Sequence, residues 1–179
     1  MSDLDVIRRV LAGETAAFDL LVRRYQQTIF RLTYRMTKNV EDARDLAQDA
    51  FVQAYRALGS FQGHASFSTW LYRIAMNLCL THLKASGRED SGEVDARLPD
   101  DRPDALATVE AAERERVVAA AIAALPPQQR ATLLLRVQEG LSHREIAEVL
   151  DCAEGTAKAN YSHAVRALQA KLRTYRMEK

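Results

Sequence analysis

The chain has 179 residues, with 25 Lys and Arg against 24 Asp and Glu, and 47% of its residues are hydrophobic. This composition is typical of a globular protein and excludes a disordered or collagen-like chain. No apolar run approaches the ~20 residues that cross a bilayer, and the first residues lack the basic start and apolar block of a secretory signal, so we expect a cytoplasmic protein.

Charged residues are distributed unevenly along the chain. Residues 1–85 and 116–179 each carry an excess of basic side chains, whereas residues 86–115 carry 4 basic and 10 acidic ones. The acidic stretch is also rich in Gly, Ser and Pro, which is typical of a solvated linker. We therefore predict a first domain at residues 1–85, a flexible acidic linker at 86–112 and a second domain at 113–179.

Two amphipathic helices are predicted in the first domain. Between residues 14 and 37, apolar residues recur at steps of three and four, the period of a helix with one buried face. They are Phe18, Leu21, Val22, Tyr25, Ile29, Leu32 and Met36. Asn39 is a suitable cap for a second helix, which ends at Gly59. Its buried stripe is Ala43, Leu46, Ala47, Ala50, Phe51, Ala54 and Leu58.

The second helix carries an acidic face opposite its apolar stripe. The face consists of Asp42, Asp45, Gln48 and Asp49. Acids three or four positions apart repel each other by roughly a few tenths of a kcal/mol on an isolated helix. The face is therefore either an ordinary solvated surface, with early acids that favour the helix start, or a surface that meets a basic partner.

A short loop with two aromatic residues, at positions 60–67, leads into a third helix. One face of that helix carries Trp70, Arg73 and Asn77, with Lys84 further along. An indole and a guanidinium can stack on unpaired bases, and cations can contact phosphates, so this face favours nucleic-acid binding. The alternative is that Trp70 simply packs in the core.

The second domain carries a helix-turn-helix pattern. Paired prolines in LPPQQR suit a helix start, and Gly140 breaks that helix. Ser142 and Glu145 then form the capping box of a short helix, and a tight turn at residues 151–154 leads to a third helix. Two short helices joined by such a turn place the second helix in the major groove of DNA.

The start of this recognition helix presents polar side chains that suit DNA. Asn160 can make a bidentate contact with adenine, Lys158 can reach guanine or phosphate, and Thr156 can hold a phosphate near the helix N-terminus. His163 lies on the same face, and Arg144 on the preceding helix is a further phosphate contact. The alternative is a helix-turn-helix that serves packing alone.

Patterns for catalysis or metal binding are weak. Cys79 and Cys152 are too few for a disulfide framework, and the four histidines are scattered rather than clustered as zinc ligands. The chain also lacks a Gly-rich phosphate loop. We expect no enzyme activity, metal, cofactor or small-molecule substrate.

Several of these motifs, taken in order, resemble an extracytoplasmic-function sigma factor of bacterial RNA polymerase. They are EDARDLAQDAF, the Phe61–Phe67 loop, WLYRIAMN, LPPQQR, GLSHREIAEVL and GTAK. The resemblance covers nearly the whole chain and implies an all-α fold with two small helical domains. The first would bind core polymerase and melt the minus-10 element, and the second would read the minus-35 element. It also implies an anti-sigma factor, which is usually membrane-bound in this family.

The resemblance also assigns roles by position. The core-polymerase-binding residues would be Asp42, Asp45, Leu46, Gln48, Asp49 and Phe51. The minus-10 residues would be Phe61, His64, Ser66, Phe67, Trp70, Arg73 and Asn77, and the loop would capture an extruded non-template base. The minus-35 residues would be Arg144, Thr156, Lys158, Asn160 and His163.

The sequence departs from the family pattern in the recognition helix and at the end of the third helix. Thr81 stands where the family commonly has Asp, and Lys84 where it has Arg. In the recognition helix the family's usual run is Gly-Thr-Val-Lys-Ser-Arg followed by further arginines, and fewer cations here predict a shallower salt dependence. The departures are Ala157, Ala159, Asn160, His163 and Val165.

Three other functions were compatible with parts of the pattern. A stand-alone helix-turn-helix regulator would bind duplex DNA without polymerase. A helical adaptor would bind polymerase without directing initiation, and a Cys/His enzyme would depend on its thiols or a metal.

Overall fold

The computed structural model describes residues 1–87 and 109–177, and within those ranges it contains eight α-helices and no strand. The helices are α1 (Asp3–Leu11), α2 (Phe18–Thr37), α3 (Val40–Ala57), α4 (Phe67–Ser86), α5 (Val109–Ala123), α6 (Pro127–Val137), α7 (His143–Leu150) and α8 (Glu154–Met177). Two short 3-10 turns lie at Thr15–Ala17 and Leu58–Ser60. The predicted all-α class is confirmed, and none of the helices described is long and apolar enough to span a membrane.

The helix ends follow the predicted capping signals. The Asn39 side chain accepts a 3.0 Å hydrogen bond from the Asp42 backbone N–H and begins α3. Ser142 accepts from the Glu145 N–H, and the Glu145 carboxylate accepts from the Ser142 N–H at 2.8 Å, so the capping box of α7 is confirmed. Gly140 has a φ of +67°, a conformation that favours glycine, and lies three residues after the end of α6.

Two helices were not predicted. Helix α1 starts with a capping box between Ser2 and Asp5. Helix α5 begins at Val109, so residues 109–112 of the predicted linker are helical instead, because Ala, Glu and Arg are good helix formers. The rest of that linker, residues 88–108, lies outside the described residues.

Apolar side chains from both halves of the chain form one continuous core. Its largest fully buried members in α2–α4 and the intervening turn are Leu21, Ile29, Leu32, Met36, Leu58, Leu71 and Met76. Leu134, Leu135, Ile146 and Val149 of α6 and α7 belong to the same cluster. Helix α4 therefore lies between α2 and α3 on one side and α6 and α7 on the other.

Polar contacts also join the two halves. The buried Arg130 guanidinium on α6 donates to the Met36 carbonyl near the end of α2, and within its own half to the carbonyls of Ala123 and Leu125. The Tyr72 hydroxyl on α4 donates to the Glu139 carboxylate at 2.7 Å. A buried guanidinium that spans three carbonyls satisfies groups that would otherwise be unpaired.

Candidate functional site

The acidic face of α3 lies mostly in solvent. Asp45, Gln48 and Asp49 are exposed on adjoining turns. Asp42 is half-buried, and its carboxylate lies 3.2 Å from Nε2 of His82 on α4. The structure thus leaves three members of the face open to a basic partner and engages the fourth with a histidine of this chain.

Two residues predicted for polymerase binding point into the protein. Leu46 is 7% exposed and Phe51 is 9% exposed, and both belong to the core. In the core they hold α3 in place beneath its acidic face. Both residues belong to the apolar stripe that the sequence predicts for this helix.

The loop before α4 forms one wall of a cavity of about 330 Å³. The cavity is lined by Ser60, Phe61, Gln62, Gly63, His64, Ala65, Thr69, Trp70, Arg73, Glu148 and Val149. Four predicted minus-10 residues therefore meet in one place: Phe61, His64, Trp70 and Arg73. His64 and Arg73 are exposed, so a polar or anionic group can reach them.

An aromatic cluster builds the apolar part of this cavity. The Phe61 and Trp70 rings lie 5.3 Å apart between centroids, and Phe67 lies 5.8 Å from Trp70 and 6.0 Å from Phe61. Tyr25 of α2 extends the cluster to Phe67 at 5.7 Å. Trp70 is half-buried, so its indole packs on these rings and also lines the cavity.

The other three predicted minus-10 residues lie elsewhere. Phe67 is 2% exposed, which places it in the core as a support for Phe61 and Trp70 and not on the surface. The Ser66 hydroxyl accepts a 3.1 Å hydrogen bond from the Thr69 N–H and caps α4. Asn77 is exposed one turn beyond Arg73 and outside the cavity lining.

Some residues of the cavity lining were not predicted as site residues. Gln62 and Ala65 belong to the loop that the sequence indicated as a whole, although neither was singled out. Glu148 and Val149 come from α7 in the other half of the chain. No local pattern could reveal them, because their place depends on how the two halves pack.

The helix-turn-helix has the predicted geometry. Helix α7 ends at Leu150, the capping residue Asp151 has a left-handed φ of +52°, and α8 begins at Glu154. Ala157 and Ala164 are buried on the inner face of α8, as predicted. The outer face carries exposed Thr156, Lys158 and His163, with Asn160 half-buried.

Both cations of the predicted minus-35 set have acidic neighbours on their own helix. The Lys158 ammonium lies 2.9 Å from Glu154, and the Arg144 guanidinium lies 3.5 Å from Glu148. The Lys158 hydrogen bond and charge hold the pKa of Glu154 below its usual value. These exposed pairs reduce the positive charge that this surface presents to a polyanion.

The family models and the most similar known proteins all point to one family. The family model of Sigma-70 region 2 matches residues 21–89, and that of Sigma-70, region 4 matches residues 115–168. The RNA polymerase sigma-H factor of Pseudomonas aeruginosa is 40% identical over 95% of this chain and 93% of its own. The ECF RNA polymerase sigma-E factor of Escherichia coli is 37% identical over 96% of this chain and 95% of its own.

Two solved structures share the fold. The sigma factor RpoE in complex with the anti-sigma factor NepR, from Bartonella quintana, matches with a TM-score of 0.68 and 24% identity over 87% of this chain and 96% of that chain. CnrH in complex with the cytosolic domain of CnrY matches with a TM-score of 0.70 and 24% identity over 96% and 97%. The two matched regions and the full-length relatives together show that the chain belongs to the extracytoplasmic-function sigma factors of RNA polymerase.

Proposed function

We propose that this sigma factor binds core RNA polymerase, directs it to promoters by reading the minus-35 and minus-10 elements, and helps to open the DNA at the minus-10 element. Polymerase performs the chemistry, and the sigma factor supplies recognition. The observation that carries the proposal is the cavity in which Phe61, Trp70 and Arg73 converge.

The cavity suits one unpaired base. A base inside a duplex cannot be read on all its edges, so a protein that captures one needs a pocket and a stacking surface outside the helix. Phe61 and Trp70 supply aromatic surface, and the exposed Arg73 supplies a cation for the adjacent phosphate. Because these contacts form only with opened DNA, they shift the melting equilibrium toward the open state.

The acidic face of α3 is the proposed contact with core polymerase. Asp45 and Asp49 lie one turn apart, and Gln48 lies beside them. Neighbouring acids are mildly unfavourable on an isolated helix, and a basic partner surface removes that cost. Asp42 would join the contact through its outer edge while it keeps His82 as a neighbour.

Polymerase binding and minus-10 melting would belong to the first of two domains, and minus-35 recognition to the second. We place the first at residues 1–85 and the second at about residues 113–179, with the acidic connection between them. The exposed outer face of α8 supports its entry into the major groove, where Asn160 would read a base and Lys158 and Arg144 would contact the backbone.

An anti-sigma factor is the proposed regulator, and the cytoplasm is the proposed location. One structural neighbour was solved in complex with the anti-sigma factor NepR, and the other in complex with the cytosolic domain of CnrY. A partner of this kind would compete for the surfaces that polymerase and DNA need. We propose, from the family resemblance, that this partner is attached to the membrane.

Run-off transcription with purified core polymerase and genomic promoter fragments tests the function. We expect specific transcripts only when the protein is present. The Trp70→Ala, Asn77→Ala double variant should bind core polymerase normally and initiate poorly, as should Arg73→Ala. Arg31→Ala removes an exposed arginine from α2 and serves as the matched control.

A second variant separates minus-35 reading from polymerase binding. Asn160→Ala should weaken promoter recognition while core binding stays unchanged, and equal loss of both would contradict the role of Asn160. If the protein neither binds nor redirects polymerase but holds duplex DNA alone, it acts instead as a stand-alone regulator.

A further inference from the structure

The aromatic wall of the cavity, formed by Phe61 and Trp70, is supported by a residue that does not line the cavity. Phe67 is 2% exposed and packs against both rings of the wall. Tyr25 of α2 packs on Phe67 in turn, with 5.7 Å between the ring centroids. Because Tyr25 lies outside the cavity lining, it can affect a bound base only through Phe67.

The Tyr25 hydroxyl is fixed by an acid on α1. It donates a 2.6 Å hydrogen bond to Oδ2 of Asp3. The other carboxylate oxygen of Asp3 accepts from the Arg24 guanidinium, which also donates to the Met1 carbonyl at 3.2 Å. Since a hydrogen bond to a charged acceptor is stronger than one between neutral groups, the Tyr25 ring is held at its hydroxyl as well as at its apolar surface.

The start of α1 is itself anchored, which gives Asp3 a defined position. The Ser2 hydroxyl accepts a 3.2 Å hydrogen bond from the Asp5 N–H, and the Asp5 carboxylate accepts from the Ser2 N–H at 3.0 Å. Val6 and Val10 of the same helix are buried in the main core. Asp3 therefore belongs to a capped and packed helix that keeps its carboxylate within reach of Tyr25.

We propose that Asp3 and Tyr25 are positioning residues for base capture. Through Phe67 they keep the rings of Phe61 and Trp70 in the orientation that stacks on an unpaired base. A binding side chain needs neighbours that lock its rotamer, because a loosely held ring must be ordered again each time a base binds. This inference rests on the proposed function of the aromatic wall, and it extends the role in promoter opening to α1 and α2.

The size of the effect depends on the fraction of molecules that hold the wall in the competent orientation. The apparent affinity for the base falls in proportion to that fraction. Without the Tyr25 hydroxyl bond, a competent fraction of about one fifth weakens base capture about fivefold. Core polymerase and duplex minus-35 DNA contact other surfaces in the proposed function, so their affinities should not change.

Binding of holoenzyme to forked promoter DNA tests the proposal. The probe is a promoter fragment from the run-off assay in which the minus-10 non-template strand is left unpaired. Tyr25→Phe keeps the ring and deletes the donor, and it should weaken binding of the fork about fivefold, with unchanged binding of core polymerase and of duplex minus-35 DNA. Asp3→Ala should do the same. Asp3→Asn, whose amide oxygen can still accept the bond, should recover most of the affinity.

Tyr72→Phe is the matched control. It also deletes one hydrogen-bonded hydroxyl, the donor to Glu139, and Tyr72 lies outside the cavity lining, so binding of the fork should not change. Trp70 is the one tryptophan of the chain, and its fluorescence in the free protein gives a second readout. Acrylamide should quench it more strongly in Tyr25→Phe and Asp3→Ala than in the wild type, and Asp3→Asn should resemble the wild type.

The possible failures are distinguishable. The positioning role is overturned, and the sigma function stands, if Tyr25→Phe binds the fork as tightly as the wild type or if Tyr72→Phe loses as much affinity. Equal losses for the fork, the duplex and core polymerase, or unchanged quenching of Trp70, would overturn it as well. If Trp70→Ala binds the fork as tightly as the wild type, base capture by the aromatic wall is itself wrong and the positioning role falls with it.

Discussion

The Tyr72 hydroxyl on α4 donates a 2.7 Å hydrogen bond to the Glu139 carboxylate, which lies two residues beyond the end of α6. Tyr72 is 6% exposed, so its hydroxyl depends on this partner. Burial, followed by the bond to Glu139, raises the pKa of the Tyr72 phenol. The pair therefore joins the proposed promoter-melting half to the helix-turn-helix half through a neutral donor and a charged acceptor.

Removing this bond should lower stability modestly. Tyr72→Phe keeps the ring and deletes the donor, and we expect the free energy of unfolding to fall by about 1 kcal/mol in urea denaturation. Glu139→Ala should cost a similar amount. Because both changes remove one bond, the double variant should cost less than the sum, and additive losses would show that Tyr72 and Glu139 are not coupled.

Stability should decline in alkaline solution. Burial raises the pKa of Cys79 from an ordinary 9.0 to about 12, and burial with the Asp3 hydrogen bond raises the pKa of Tyr25 from 10.0 to about 12. The folded state then holds protons that the unfolded state releases, so the stabilisation present below pH 9 is lost as pH rises through about 12. Burial lowers the pKa of Lys38 from 10.5 to about 8, which acts in the opposite sense between these two pH values, so urea midpoints should fall from about pH 10 upward.

Cys79 is the first group to act against stability as the pH rises. Its ordinary pKa lies one unit below that of tyrosine, so between pH 9 and 10 its proton offsets the gain from Lys38, and Cys79→Ala should make stability rise with pH there. The variant will be less stable overall because it leaves a small void, and the informative quantity is the slope. An unchanged slope would mean that another group releases the proton.

The cap of α3 should matter both to stability and to the proposed polymerase contact. Asn39→Ala removes the acceptor of the Asp42 N–H and should lower the free energy of unfolding by about 1 kcal/mol. Asn39→Asp keeps an acceptor and is the matched control. Thermal unfolding and core-polymerase binding can be measured on the same samples, and a stable, tightly binding Asn39→Ala would contradict the role of the cap.

Helices with long apolar periodicity were predictable from the sequence. Helices α2 and α3 carry long buried apolar stripes, and the starts of α3 and α7 are marked by Asn39 and Ser142, whose side chains act locally. Helix α1 has only nine residues and a short stripe, so its pattern was weak. Helix α5 begins in the acidic stretch. The Gly, Ser, Pro and acid content of that stretch predicted a linker, although the Ala, Glu and Arg residues near its end favour a helix.

The site was predictable only where its residues are close in the sequence. The loop from Phe61 to Ala65 and the first turns of α4 contain most of the cavity lining. Phe61 and Phe67 are close in the sequence but differ in burial. Phe67 is the first residue of α4 and is buried against Tyr25, whereas Phe61 lies in the loop and is half-buried. The contribution of Glu148 arises from tertiary packing, which has no local pattern.

The last prediction concerns the weak positive charge of the recognition helix. Glu154 holds Lys158 at 2.9 Å, and exposed pairs of this kind at one-turn spacing contribute little to stability. Glu154→Gln should free Lys158 for a phosphate and raise holoenzyme affinity for promoter DNA by roughly twofold, with a steeper salt dependence. Glu154→Gln combined with Lys158→Ala should lose the gain, whereas Asp19→Asn, which removes an exposed charge from α2, should leave affinity unchanged. Filter binding across a range of salt concentrations measures both quantities, and an equal gain in Asp19→Asn would assign the effect to net charge instead of to Lys158.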